Sequence, residues 1–178
     1  MNLSSFEQPV FSWIQQWKHP ILLHFFIVCT QLGTPIGWFF LSVSYTLWLY
    51  NIDSGIALGC SALCGGIAAE GMKLLIRRKR PCSLPDGPIA HIKIPQTYSF
   101  PSGHACSSAT VSSMLYLSNQ PYAFLFGCFA FVVGISRIYL GVHYPSDVLV
   151  GWMLGTACGA YVAHSLLPLL AIWIGGVM

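Results

Sequence analysis

Charge is what this chain has least of. Of 178 residues, 7% are charged, with eight Lys and Arg against five Asp and Glu, where a soluble domain carries about 25%. That scarcity excludes an ordinary soluble globular domain. A formal net charge of +3 gives no basis for a nucleic-acid partner. Long stretches have no charge at all, notably 122–135 and 148–178. Seven cysteines are present, but no C-x-x-C pair or zinc-type spacing, so neither a redox motif nor a metal framework is indicated. Six of them (Cys29, Cys60, Cys64, Cys106, Cys128, Cys158) lie in apolar stretches and read as small buried hydrophobes; Cys82 alone falls in a polar loop. There is no internal repeat and no stretch of soluble-domain composition. No basic segment leads into an apolar core near residue 1, so no cleaved signal peptide is expected.

What is there is 55% hydrophobic sequence, broken at regular intervals. The pattern predicts an all-α polytopic membrane bundle of about five to six transmembrane helices plus an N-terminal interfacial helix. It forms a single domain over 1–178, with the interfacial helix at 4–18 and the transmembrane core at 20–178. In 4–18, Phe6, Val10, Trp13, Ile14 and Trp17 recur at helical spacing, the mark of a helix lying in the membrane surface. Residues 20–32 are apolar but short of the roughly 20 needed to span. Gly33, Thr34 and Pro35 interrupt them before 36–50 resumes, so 20–50 is one kinked span or a short helix followed by a span. A turn at 51–54, with Asp53 as turn chemistry, leads into 55–76, rich in Gly, Ala and Ser that permit close packing. Further helices are expected over 103–117, 122–140 and 145–171.

The few polar residues gather in three places. The first is Lys73 with Arg80 and Pro81. Seven residues apart, the two cations share a helical face about 10 Å long and suit a phosphate clamp. Arg77, Arg78 and Lys79 between them read mainly as a positive flank, and Glu70 as a structural partner of Lys73. The second is Pro101-Ser102-Gly103-His104. A glycine turn opening a helix exposes amides that bind phosphate, Ser102 is either a hydroxyl donor or an N-cap, and His104 is placed to protonate a leaving oxygen. The third runs over 136–147. Arg137 offers a planar fork for phosphate oxygens, and Pro145 marks a helix start. His143 then stands just before the first turn and Asp147 within it. A carboxylate there orients an imidazole and raises its basicity, which suits a nucleophile or general base. Counting helices puts all three groups on one membrane face.

Blander roles fit the rest: His19, His24 and His164 as interfacial or packing residues, Tyr139 and Tyr144 as site-lining or aromatic-belt residues. In the loop 82–100, Asp86, His91, Lys93 and Tyr98 are potential headgroup contacts. Three cations beside His104, His143 and Asp147 argue against a metal.

Lys73-x6-Arg80-Pro81, Pro101-Ser102-Gly103-His104 and Ser136-Arg137-x5-His143-x3-Asp147 resemble, complete and in order, the three signature motifs of the type-2 phosphatidic acid phosphatase family. The resemblance implies a metal-independent, cofactor-free phosphatase of membrane lipid phosphates. In it His143 is the nucleophile that becomes phosphohistidine, Asp147 orients it, and His104 is the acid. Lys73, Arg80, Ser102, Gly103 and Arg137 hold the phosphate oxygens. Small size resembles bacterial members of that family acting on undecaprenyl diphosphate at the outer side of the inner membrane. The partners so implied are a lipid phosphate and the bilayer, with no nucleic acid. Phosphatidylglycerophosphate or phosphatidate phosphatase and lipid phosphotransferase are the neighbouring readings. The intact His143, His104 and Asp147 disfavour a non-enzymatic lipid binder or transporter.

Overall fold

The computed structural model describes residues 4–169 except 51, 86, 95 and 121, with side chains from residue 7 onward. Asp86, the side chain of Phe6 and the end of the last span at 170–171 fall outside the described residues. Among the described residues all regular structure is helical: α1 (Ser4–Gln16), α2 (Pro20–Leu32), α3 (Pro35–Leu49), α4 (Ile52–Ile76), α5 (Gly103–Leu117), α6 (Ala123–Tyr139) and α7 (Pro145–Tyr161). A π turn, Val162–Leu166, continues α7, and a short 3-10 turn, Pro81–Ser83, follows α4.

The helix ends lie where the local chemistry puts them. Pro20, Pro35 and Pro145 each open a helix, where the missing N–H is no loss. Thr34 caps α3 and Ser102 caps α5, accepting from Gly37 N and Ala105 N respectively. Asp53, expected in a turn, instead lies in the first turn of α4, where a carboxylate complements the positive helix end. Gly141 takes φ +78° directly after α6, a conformation open to glycine at little cost, and so starts the turn that carries His143.

Among the described residues, two helices are long and apolar enough to cross a membrane by themselves, 52–76 and 145–169. The pair α2 and α3 makes a third if counted as one span bent by 73° at Gly33–Thr34, and α6 is apolar but shorter. Residues 20–49 are thus two helices meeting at a sharp break rather than one continuous helix.

α5 is the centre of the bundle. Nine of its fifteen residues are buried, and it packs on α4, α6 and α7. Its contact with α7 is set by glycines four residues apart. A Cβ on Gly151 would lie 2.8 Å from Ser102 O, one on Gly155 2.3 Å from Cys106 O, and one on Gly159 2.5 Å from Thr110 O. The carbonyls they meet are also spaced by four and rise in the same order. The two helices therefore run parallel and in register, backbone against backbone, as small-residue faces allow. Gly65 of α4 does the same from the other side, with Thr110 Oγ1 at 2.3 Å from a would-be Cβ. A core of Trp38, Tyr45, Leu58, Val111, Met114 and Leu115 fills the half of the bundle away from the catalytic motifs.

α1 departs in part from a helix that only lies on a membrane. Val10, Trp13 and Trp17 are exposed, but Phe11 is buried with Ala105, Ile138 and Val148 around it. The seven cysteines are free thiols; of the six expected to be buried, Cys29 and Cys106 are, Cys60, Cys64 and Cys158 are only partly buried, and Cys128 is exposed.

The glycine register yields a test. Gly155→Val should separate α5 from α7 and lower stability in detergent by about 1–3 kcal/mol, the usual range for overpacking. Gly71→Ala, where an added Cβ meets nothing within 4 Å, should not. Equal melting temperatures for the two variants would contradict the register.

Candidate active site

Parallel packing of α5 and α7 places two helix N-termini side by side, and Ser102 N donates to Asp147 O across them at 2.9 Å. The end of α4 and the end of α6 arrive from the opposite direction. Lys73, Arg80, His104, Arg137 and His143 thereby line one cavity of about 1160 Å³, with Gly103 and Thr97 on the same wall. Lys73, Arg80, Arg137, His143 and Asp147 are all buried.

Each cation is held in its own way. Lys73 Nζ donates to Glu70 Oε1 at 2.5 Å, so Glu70 is its ion-pair partner, as expected. Arg80 is fixed by loop carbonyls: Nε on Thr97 O at 3.0 Å, Nη2 on Tyr98 O at 3.2 Å, and Nη1 on Val142 O at 3.1 Å. The same Nη1 lies 3.0 Å from His143 Nε2. Arg137 donates to the buried hydroxyl of Thr30 on α2, while its Nε is buried without a partner.

The contact with Arg80 assigns the His143 tautomer. A guanidinium has donors only, so Nε2 carries a lone pair and the ring proton is on Nδ1. Nδ1 faces Asp147 Oδ2 at 3.4 Å, an approach that leaves Nδ1 without a closed hydrogen bond. Burial pushes the His143 pKa down to about 3, helped by the Arg137 and Arg80 cations and opposed by Asp147. Neutral imidazole with its Nε2 lone pair on the cavity side, held by Arg80, is the protonation form a nucleophile needs. Burial likewise pulls Arg80 below its ordinary value.

Asp147 stands behind His143. Its Oδ2 accepts from Ser99 Oγ at 2.6 Å and from Tyr144 N at 2.9 Å. Its Oδ1 accepts from Arg78 Nη1 at 2.8 Å. Neither Ser99 nor Arg78 was legible as a site residue. Ser99 sits in a loop with no motif, and Arg78 is hidden in a run of four basic residues.

Ser102 is fully buried as the α5 cap and is not on the cavity wall, whereas Gly103 is. The two tyrosines do not line the cavity. Tyr139 OH donates to Trp17 O at 2.8 Å, and the Tyr144 ring lies under Arg78 at 4.0 Å. His91, Lys93 and Tyr98 do not line the cavity. His19 caps α2 through its Nδ1.

Away from the cations the cavity becomes an apolar groove between α3 and α4, walled by Trp38, Phe39, Val43, Gly59, Leu63 and Ile67 and reaching Gly55. Along α4, Lys73 to Gly55 is roughly 27 Å, close to the thickness of a bilayer's hydrocarbon core, about 30 Å.

The tautomer is directly testable. Nitrogen-15 histidine spectra in detergent should show His143 neutral with the proton on Nδ1 at pH 7 and still neutral at pH 5. An imidazolium at pH 6 would count against the assignment.

Residues 54–169 match the PAP2 superfamily. An undecaprenyl-diphosphatase from Sulfolobus acidocaldarius is 28% identical over 131 residues, 73% of this chain and 64% of that protein. The chain thus spans just under two thirds of that relative's length. A decaprenylphosphoryl-5-phosphoribose phosphatase from Mycobacterium tuberculosis is 35% identical over 130 residues, 71% of this chain and 70% of the other. Among solved structures, a transmembrane PAP2-type phosphatidylglycerolphosphate phosphatase from Bacillus subtilis superposes with a TM-score of 0.71 at 26% identity, covering 91% of this chain and 85% of that one.

Proposed function

The chain belongs to the PAP2 superfamily, a family of phosphatases, and from that premise we propose that it is a membrane lipid-phosphate phosphatase working through a phosphohistidine on His143. The observation that carries the reading is the single cavity that joins Lys73, Arg80, His104, Arg137 and His143 to an apolar groove of bilayer length. A phosphate seats among the cations while its lipid tail lies between α3 and α4.

His143 Nε2 attacks phosphorus, and the bond from phosphorus to the leaving oxygen breaks as His104 supplies that oxygen with a proton. Water then cleaves the N–P bond, its proton passing to His104. Asp147 stays ionised throughout and balances the charge that His143 gains. Lys73, Arg80, Arg137 and the Gly103 amide hold the equatorial oxygens, with the buried Ser102 fixing the α5 end that presents that amide. Arg80 exchanges its contact with the His143 lone pair for one with phosphate, so substrate arrival frees the nucleophile. Phosphoryl transfer needs positioning and charge stabilisation, and fixed cations in a dry site act strongly on developing charge. In this reading no divalent metal is required, because Lys73, Arg80 and Arg137 already supply the positive charge.

The substrate in this reading is a polyprenyl diphosphate such as undecaprenyl diphosphate. Two of the relatives named above are polyprenyl-phosphate enzymes. A diphosphate also leaves as a lipid monophosphate, a better leaving group than an alkoxide. The whole chain forms one domain that crosses the membrane five times, with α2 and α3 counted as one broken crossing, in the inner membrane of a bacterium. The catalytic face points outward; its cations serve phosphate binding rather than cytoplasmic retention.

Phosphate release from mixed micelles tests the chemistry. His143→Ala should abolish turnover and the acid-labile phosphoenzyme, and His104→Ala should cost about 10²–10⁴-fold. Activity should survive EDTA. A polyprenyl diphosphate should be hydrolysed faster than phosphatidate or phosphatidylglycerophosphate at equal surface concentration. The reverse order would reassign the substrate to glycerophospholipids, and full turnover in His143→Ala would end the mechanism.

Orientation is tested separately. A single cysteine at the exposed Ser83, in a chain without its native cysteines, should react with an impermeant maleimide in intact cells. Labelling only after lysis would place the catalytic face in the cytoplasm.

A further inference from the structure

Of the four consecutive cations at 77–80, Arg77 and Lys79 are exposed, and Arg80 belongs to the cavity. Arg78 turns inward on the far side of His143. Its Nη1 donates to Asp147 Oδ1 at 2.8 Å and to Ser146 Oγ at 2.7 Å, and its Nη2 to Glu7 Oε2 at 3.1 Å. The guanidinium is stacked 4.0 Å above the Tyr144 ring. Its backbone also takes part, since Ser99 N donates to Arg78 O at 2.8 Å, and Ser99 Oγ in turn holds Asp147 Oδ2.

Glu7 is on α1, and it is not alone there. Residues 7, 11 and 15 form one helical stripe. Phe11 meets the Tyr144 ring with centroids 5.9 Å apart. Gln15 Nε2 donates to Ile138 O at 2.7 Å and Tyr139 O at 3.2 Å. Three successive positions of one stripe therefore grip Arg78, the residue after His143, and the end of α6 that leads into the His143 turn. The opposite stripe of Val10, Trp13 and Trp17 is free.

We propose that Arg78 is a positioning residue that pins the rear oxygen of Asp147, and that Glu7 secures Arg78, so that the seating of α1 fixes how His143 is presented to phosphorus. This rests on the roles proposed above for His143 and Asp147. The physical reason is geometric. Asp147 is fully buried, and its link to His143 is long at 3.4 Å. A carboxylate that does not clamp the imidazole tightly must itself be held from behind. Fork-shaped Arg can hold two carboxylates at once, which Lys cannot do with the same geometry.

The test uses the full chain in mixed micelles with a polyprenyl diphosphate. Arg78→Met should lower kcat roughly tenfold or more, though less than the roughly 10⁴-fold known for neutralising an orienting carboxylate itself, with KM within about twofold. Glu7→Gln should lower kcat by a smaller factor, again with KM unchanged. In an Asp147→Asn background Arg78→Met should bring no further loss, because residues acting as one unit are not additive. A purely structural ion pair would instead lower the melting temperature and leave kcat alone, while a role independent of Asp147 would multiply with Asp147→Asn. Wild-type kcat in Arg78→Met, or a multiplicative loss in the double variant, overturns the proposal. Should Arg78→Met not fold, Glu7→Gln decides, and unchanged kcat there overturns it. His143→Ala run in parallel separates the two levels. Residual turnover in it refutes the nucleophile, whereas a dead His143→Ala beside a normal Arg78→Met removes only the positioning role.

Discussion

The contact on which the site depends is not itself polar. It is the run of glycine on α7 against the backbone of α5, with Gly151, Gly155 and Gly159 each facing a carbonyl of Ser102, Cys106 or Thr110. Backbones this close allow essentially one register, because a side chain at any of the three positions would collide with main-chain oxygen. A shift by one residue would put Val150, Leu154 and Cys158, or Trp152, Thr156 and Ala160, where glycine must be. The register brings two helix N-termini to the same point, so their partial positive charges add where a phosphate would sit. It also hands Asp147, in the first turn of α7, to the same place as Gly103 and His104, in the first turn of α5. The geometry of the candidate site is in this sense a consequence of packing between small residues deep in the bundle.

Charge in the interior then follows a consistent logic. An unpaired buried ion is costly, and removing one member of a buried pair is worse than never having had the pair. The anion Asp147 is accordingly satisfied on both oxygens by Arg78, Ser99 and Tyr144 N. Lys73 has Glu70. Arg80 rests on neutral carbonyls and on His143 Nε2, and Arg137 on one hydroxyl, with its Nε unsatisfied. The anion is thus saturated while two cations are under-compensated and face the cavity. A pocket in that state favours an anion before any substrate detail is considered, and carboxylate and phosphate are the anions whose oxygens a guanidinium fork fits.

Much of this was legible in the sequence. Helix positions followed from apolar runs broken by Pro, Gly and Asn, and the separation of His143 from Asp147 by four residues across Pro145 placed one before and one inside the first turn of α7. What could not be read depended on tertiary contact. Four basic residues in a row carry no mark of which one turns inward, since each has the same neighbours in sequence. Arg78 is selected by a carboxylate 69 residues away. Ser99 gives no signal because a lone loop serine is ordinary. Lys93 and His91 looked like headgroup contacts because they are polar and nearby in sequence, yet Thr97 is the loop side chain on the cavity wall. The glycine spacing of α7 was in plain view, but its meaning required knowing the partner helix.

The bent pair of α2 and α3 bears on how a lipid reaches such a site. The break at Gly33 falls beside the site, since a Cβ there would lie 3.3 Å from His104 Cδ2 and 3.1 Å from Val133. Before the break, α2 supplies Thr30 to Arg137. After it, α3 turns away by 73° and forms one wall of the apolar groove. A straight helix through this region would either cover the cations or leave the groove without its second wall. The bend does both jobs with one element: its first half completes the polar pocket and its second half borders the apolar groove. The polar pocket and the apolar groove therefore meet on either side of one glycine, which packs beside His104.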